Sequence, residues 1–268
     1  MTKIGVMGIG AVGLAIVGGL RLRNYEVVTY DKKYSYLGLP EDLKTCDFIF
    51  VCVPTPTREG GSQDLSAVND VLSQLEKLSY SGIVILKSTI LPGTTRTLQG
   101  VYKGLRLVCS PEFITESVAL KDFLNPDKVL VGCTKESLIF GEKVKIFLEE
   151  FYWNLCPVTL VEPEVAEMAK YMINSYYALR VIYANQIYNL CHTIGVDYEE
   201  VRKCFELDKR VAPGHFEVFY KGKTSRGYGG KCLPKDTEAL IQFARDQRLR
   251  LGLLEEMQWI NTGLGGGK

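Results

Sequence analysis

The stretch Lys3-Ile-Gly-Val-Met-Gly8-Ile-Gly10-Ala-Val-Gly13 decides how the rest of the chain is read. Lys3 to Gly8 is a short apolar run of the kind a buried strand needs, and it passes directly into a Gly-x-Gly-x-x-Gly turn. An apolar helix is expected from Ala11 to Leu20, then a second strand, Val27-Val28-Thr29-Tyr30, ending in Asp31. Strand, glycine turn, helix, strand and acid in this order are the fingerprint of a dinucleotide-binding βαβ unit. Gly8 makes the tight turn, Gly10 lets a pyrophosphate approach, and Gly13 lets helix pack on strand. The helix N-terminus presents unpaired N–H groups and a positive dipole end to the phosphates. Asp31 would accept hydrogen bonds from an adenosine ribose and repel a 2′-phosphate, so NAD is expected over NADP. Lys32 and Lys33 follow it and soften that preference.

Outward from this unit, short apolar runs alternate with helical periodicity as far as about Glu162. Phe48 to Val53, Ile83 to Leu86, Leu105 to Cys109, Val129 to Val131 and Val158 to Val161 read as buried strands. Val68, Val71, Leu72, Leu75 and Leu78 recur at helical spacing, with Asp64 and Ser66 as candidate caps. Strand and helix in alternation predict an α/β fold with a doubly wound, Rossmann-type parallel sheet. Ligands of such sheets bind at the carboxyl ends of the strands. Three of those ends carry unusual residues: Val53-Pro54-Thr55-Pro56-Thr57, the run from Lys87 to Thr94, and Ser110-Pro-Glu112-Phe113-Ile-Thr-Glu116.

The texture changes at Pro163. Glu164 to His192 contains no proline or glycine and predicts one continuous helix, roughly 40 Å long at 1.5 Å per residue. A helix of that length suits the spine of a homodimer. Further helices are expected at about Tyr198 to Leu207 and Asp236 to Leu249. The chain is therefore divided into residues 1–162, a dinucleotide-binding domain, and 163–268, a mainly helical domain. The glycine-rich end, Gly263 to Gly267, is expected to fray. Lys170 and Asn174 are four apart on the long helix and share a face. A cation and an amide so placed can hold a developing oxyanion.

The second domain also contains Gly227-Tyr-Gly229-Gly-Lys-Cys232-Leu-Pro-Lys235, with Asp236 behind it. One cysteine stands between two lysines, after a run of glycines and before a proline. Cationic neighbours favour the thiolate, which is the nucleophile. The glycines let the backbone pass close to a ligand. Such a cysteine is set up to bond covalently to a carbonyl carbon.

Composition narrows the classes. With 46% apolar and 24% charged residues the chain has the make-up of a soluble globular protein, and at 268 residues it can bury a sizeable core. A net charge of +1 with no basic stripe argues against nucleic-acid or membrane-surface binding. The apolar run Ala11 to Leu20 is too short to span a bilayer and lies inside the fingerprint, which argues against a signal peptide. Eight cysteines without a Cys-x-x-Cys pair read as reduced thiols in a cytoplasmic protein, and two histidines leave little for a metal site.

These motifs together resemble the UDP-glucose and GDP-mannose dehydrogenase family, the nucleotide-sugar 6-dehydrogenases. The resemblance rests on the glycine fingerprint, Val53-Pro-Thr-Pro-Thr57, Asp64-Leu-Ser66, Lys87-Ser-Thr89, Ser110-Pro-Glu-Phe113 with Glu116, Ala166-Glu-x-Ala-Lys170-x-x-x-Asn174, Ala178-Leu-Arg-Val181, and Gly227-Tyr-Gly-Gly-x-Cys-Leu-Pro-Lys-Asp236. It implies a four-electron oxidation of a sugar primary alcohol to a carboxylate with two NAD, UDP-glucose to UDP-glucuronate being the expected case. Lys170 with Asn174 would steady the oxygen, and Cys232 would carry a thiohemiacetal and then a thioester. Thr89, Glu116 and Asp236 would place and deprotonate the hydrolytic water. The resemblance also implies NAD contacts from Gly8, Gly10, Val12, Gly13, Asp31, Val53, Pro54, Thr55, Thr89, Glu116 and Lys235. For the sugar nucleotide it implies Glu112, Phe113, Lys170, Asn174, Gly229 and Arg210, the last reaching a partner subunit's sugar.

Two departures are visible. Thr115 stands where the family usually has a basic residue. Family members typically continue into a third, α/β domain, which would lie beyond about Asn261, so a compact form and a truncated one both remain open. Two other readings compete: a 3-hydroxyacid-type NAD dehydrogenase, which needs no cysteine nucleophile, and a non-catalytic NAD-binding dimer.

Overall fold

The computed structural model of the chain describes residues 2–34, 38–219 and 225–266. Seven strands form one sheet in the order β2-β1-β3-β4-β5-β6-β7. They are β1 (Lys3–Met7), β2 (Glu26–Tyr30), β3 (Phe48–Val51), β4 (Ile83–Leu86), β5 (Arg106–Cys109), β6 (Val129–Gly132) and β7 (Val158–Val161). The first five are parallel.

Side chains alternate between faces, so each apolar strand feeds two cores. Ile4, Val6, Phe50, Ile85 and Val108 bury on one side with Ala15, Ile16 and Leu20 of helix α1 (Ala11–Leu22) and Val144 and Phe147 of α5 (Leu138–Phe151). Met7, Ile49, Val51, Val84, Leu86 and Leu107 bury on the other with Val68, Leu72 and Leu75 of α2 (Ser66–Lys77) and Leu98 of α3 (Thr94–Val101). The expected Asp64 cap forms as an Asx turn, the Asp64 carboxylate accepting the Ser66 N–H at 2.9 Å just before α2.

The sheet is mostly parallel, as the alternation of strand and helix leads one to expect, with one exception. β6 pairs antiparallel with β5, at Cys109 and Gly132, and β7 then runs parallel to β6. A parallel return needs a long crossover. The chain between β5 and β6 is about as long as the β4–β5 connection, which does return parallel, but it carries only a short 3-10 turn (Glu116–Val118) and the six-residue α4 (Ala119–Leu124) in place of a longer crossover helix.

The long helix forms as α6 (Pro163–Thr193), 31 residues without a break. It is followed by α7 (Tyr198–Glu206), α8 (Leu233–Asp246) and α9 (Gly252–Gly263). The chain divides into two compact units, Met1–Pro56 with Gln63–Lys170, and Thr57–Ser62 with Tyr171–Lys268. These units part within α6, after Lys170. The reason is local packing: Ala166 belongs to the second core of the sheet unit. Glu167, fully buried, accepts the N–H groups of Gly93 and Thr95 and the Thr95 hydroxyl at 2.6–2.9 Å, capping α3. Burial pushes its carboxyl up to about 7, against those hydrogen bonds.

The second unit is helical, with a core of Ala178, Ile182, Tyr228 and Met257. Its glycine-rich end is not frayed as far as Gly266, whose N–H donates to the Asn261 carbonyl at 2.9 Å; Gly267 lies outside the described residues.

Candidate active site

Each glycine of the fingerprint has a separate structural reason. Gly8 has φ +92°, and a Cβ there would meet the backbone of Cys52 at 2.8 Å. Its N–H continues the β2 ladder by donating to the Tyr30 carbonyl at 2.9 Å. At Gly13 a Cβ would lie 2.0 Å from the Gly8 carbonyl oxygen, so only glycine lets α1 start this close to the turn. A Cβ on Gly10 would meet nothing within 4 Å. That open face at the N-terminus of α1 is where a phosphate can approach backbone donors, so the residues present fit a dinucleotide. Asp31 closes β2 beside the turn: its carboxylate accepts the Ile9 N–H at 2.7 Å and the Lys33 N–H at 2.8 Å.

The neighbouring strand ends are tied together by their hydroxyls. Thr55, buried, donates to the Thr89 carbonyl at 2.6 Å, and the Gln63 amide donates to the same oxygen at 2.8 Å. Ser88 donates to the Val53 carbonyl at 2.7 Å. The segment from Val53 to Thr55 is therefore held against the Lys87-Ser-Thr89 turn.

In the same unit Lys170 is buried and its Nζ lies 3.1 Å from the Glu112 carboxylate. Glu112 also accepts the Ile114 N–H at 2.7 Å, and Lys170 lies over the Phe113 ring at 5.7 Å. A second buried cation, Lys87, stands at the end of β4 with its Nζ 3.4 Å from both the Ser110 hydroxyl and the Pro111 carbonyl. Glu116 is exposed at the start of the 3-10 turn.

In the second unit Cys232 is exposed and stands at the N-cap position of α8. One turn later Asp236, buried, accepts the side-chain amide of Asn174 at 2.6 Å and pairs with the Lys235 ammonium. The helix N-terminus presents its positive dipole end to Cys232. Arg210 is well exposed and is bonded to Asp208, and Gly229 is exposed.

Two supporting residues were not visible as such in the sequence. Lys87 lies in a quoted strand end, and only its burial reveals it. Asn261 of α9 accepts the Tyr228 N–H at 2.7 Å and donates to the Tyr228 carbonyl at 3.0 Å, clamping the cysteine loop. Gly227, at φ +81°, has no room for a Cβ because the Asn261 side-chain oxygen would be 2.4 Å away. Nothing local announces a partner this far along the chain.

A βαβ glycine turn in one unit and an exposed cysteine at a helix N-terminus in the other define the features to be matched, and the comparisons give the family. Residues 36–153 match the UDP-glucose/GDP-mannose dehydrogenase family, NAD binding domain, and residues 164–263 match its central domain. The chain belongs to the UDP-glucose/GDP-mannose dehydrogenase family, and NAD is its cofactor. It is 36% identical over 220 residues to a UDP-glucose 6-dehydrogenase of Pseudomonas aeruginosa, covering 78% of this chain and 47% of that one. A UDP-glucose dehydrogenase structure from Pyrobaculum islandicum matches with a TM-score of 0.84 and 27% identity, over 98% of this chain and 68% of that one. A UDP-D-ManNAc dehydrogenase structure from Pyrococcus horikoshii shares the fold, with a TM-score of 0.79, 22% identity and coverage of 98% and 69%. The chain spans about half the length of most of the curated relatives it matches. Among the described residues no helix is long and apolar enough to cross a membrane.

Proposed function

We propose that the chain carries the NAD-dependent oxidation of a nucleotide-sugar C6 alcohol to the carboxylate, with UDP-glucose as substrate, in a cytoplasmic setting. The observation that carries this reading is the start of α8: an exposed cysteine stands at the N-cap position, and a buried carboxylate–amide pair, Asp236 with Asn174, stands one turn on. A simple alcohol dehydrogenase needs no such thiol.

Bound NAD supplies the hydride acceptor for both oxidations. Lys170 and Asn174 donate to the C6 oxygen as its proton leaves and negative charge builds. The Cys232 sulfur adds to the aldehyde carbon as a thiohemiacetal, which keeps the aldehyde from escaping. Loss of the second hydride leaves a thioester. Water placed by Thr89 and Glu116, and deprotonated with the help of Asp236, attacks that carbon and releases the thiol. The sum is one alcohol, two NAD⁺ and one water giving one carboxylate, two NADH and three protons. Glu112, Phe113, Gly229 and Arg210 would hold the sugar nucleotide.

Incubation with NAD and a panel of UDP- and GDP-sugars is expected to yield two NADH per UDP-glucose consumed. One NADH per turnover of a 3-hydroxyacid would favour the hydroxyacid dehydrogenase reading instead. NAD binding with no NADH from any sugar would overturn the proposal.

The long helix also supports a homodimer. Met172, Tyr176, Tyr183 and Leu190 are exposed, large and apolar, and they recur along α6 at spacings of four and seven. Analytical ultracentrifugation is expected to show two chains per particle, and Tyr183→Glu to shift the population to one. A wild-type monomer at micromolar concentration would rule this out.

A further inference from the structure

We propose that Lys87 is a positioning residue for the Glu112–Lys170 pair, and that its charge sets how strongly Lys170 can stabilise a developing oxyanion. This rests on the reading of Lys170 as the cation that steadies the C6 oxygen.

Lys87 follows the four buried residues of β4, and its own N–H extends the ladder by donating to the Val51 carbonyl at 2.9 Å. Its backbone is thereby fixed and its side chain is buried with it. A buried ammonium is costly unless its donors are used. Here they go to the Ser110 hydroxyl and the Pro111 carbonyl, both at 3.4 Å, in the turn that immediately precedes Glu112. Lys87 therefore ties the end of β4 to the segment that aims Glu112 at Lys170.

The electrostatics have the same arrangement. Four groups face Lys87: Cys52 after β3, Cys109 at the end of β5, Glu112, and Lys170 from α6. Burial pushes the Lys87 ammonium down to about 8; Glu112 holds it up and Lys170 pushes it further down, while Cys52 and Cys109 stay neutral thiols there. With both lysines charged, one carboxylate serves two cations and the cluster is net positive, so Lys170 has donors and field to spare for an alkoxide. As pH rises through about 8 Lys87 loses its proton. Glu112 then neutralises Lys170 alone, and the positive field at the substrate oxygen weakens.

The test pairs a pH–rate profile with a lysine side-chain NMR titration, which needs no turnover. In the wild type, kcat is expected to fall as pH rises through the Lys87 transition. Lys87→Met should lower kcat at neutral pH by roughly ten-fold, the effect of about 1.4 kcal/mol of lost field, leave KM for NAD unchanged, and abolish the alkaline fall. Lys87→Arg, charged throughout, should restore the rate and move the fall to higher pH. The NMR signal lost in Lys87→Met should titrate at about pH 8 in the wild type and at lower pH in Glu112→Gln. Lys87→Met with wild-type kcat and the same alkaline fall would overturn the proposal. So would a Lys87 titration indifferent to Glu112→Gln. If the wild type oxidises no nucleotide sugar, the functional reading fails while the NMR arm still decides the Lys87–Glu112 coupling.

Discussion

Cys232→Ala is expected to abolish carboxylate formation, by roughly three orders of magnitude or more in kcat, the scale at which loss of a covalent nucleophile is felt. NAD affinity should be unchanged, because the glycine turn and Asp31 belong to the other compact unit. The side chain is exposed at the N-cap of α8, so its removal opens no cavity and the helix should persist. The decisive measurement is the product ratio. The variant can at most pass one hydride and stop at the aldehyde, giving one NADH and no carboxylate. Cys232→Ser should form an ester slowly and regain a trace of the full reaction. A variant lacking the thiol that still makes the carboxylate at near the wild-type rate would show that the oxidation does not pass through Cys232.

Gly13→Ala should have the largest structural effect of any single methyl group added to this chain's fingerprint. The new Cβ would fall 2.0 Å from the Gly8 carbonyl oxygen, well inside any van der Waals contact. The obstacle is backbone, so no side chain can swing away. Either α1 shifts off the strand or the turn opens, at a cost of about 3 kcal/mol on the scale of overpacked cores. Both distortions move the α1 N-terminus, so NAD binding should fall together with stability. Gly10→Ala makes the contrast: a Cβ there meets nothing in the protein. It should leave unfolding nearly unchanged while weakening NAD, because the open face it fills is the one a pyrophosphate would use. Calorimetric unfolding and NAD titration of both variants separate the roles. Equal stability losses at the two positions would contradict them.

Much of the frame was legible because its causes are local. The apolar runs of β1, β3, β4 and β5 and the uninterrupted composition of α6 dictate strand and helix within a few residues of themselves. Gly13 reflects a contact made within one turn, with the Gly8 carbonyl, and Gly8 reflects its own positive φ. The reversal of β6 and β7 was not legible, because connections of similar length return parallel elsewhere in the same sheet. The packing of Ala166 and Glu167 was not legible either: both look like ordinary helix residues until the sheet core and the α3 N-terminus arrive beside them.

The candidate site divides along the same line. From residue order alone came the dinucleotide turn, the nucleophile loop, and the identities of Lys170, Asn174 and Asp236 as residues to watch. Only the tertiary structure decided their partners: Glu112 for Lys170, Asp236 for Asn174, Asn261 for the loop before Cys232, and Lys87 as a second buried cation. Propensity and spacing act over a turn or a strand, whereas these hydrogen bonds and ion pairs join residues tens of positions apart. They gain their strength from burial, which exists only once the chain has closed around them.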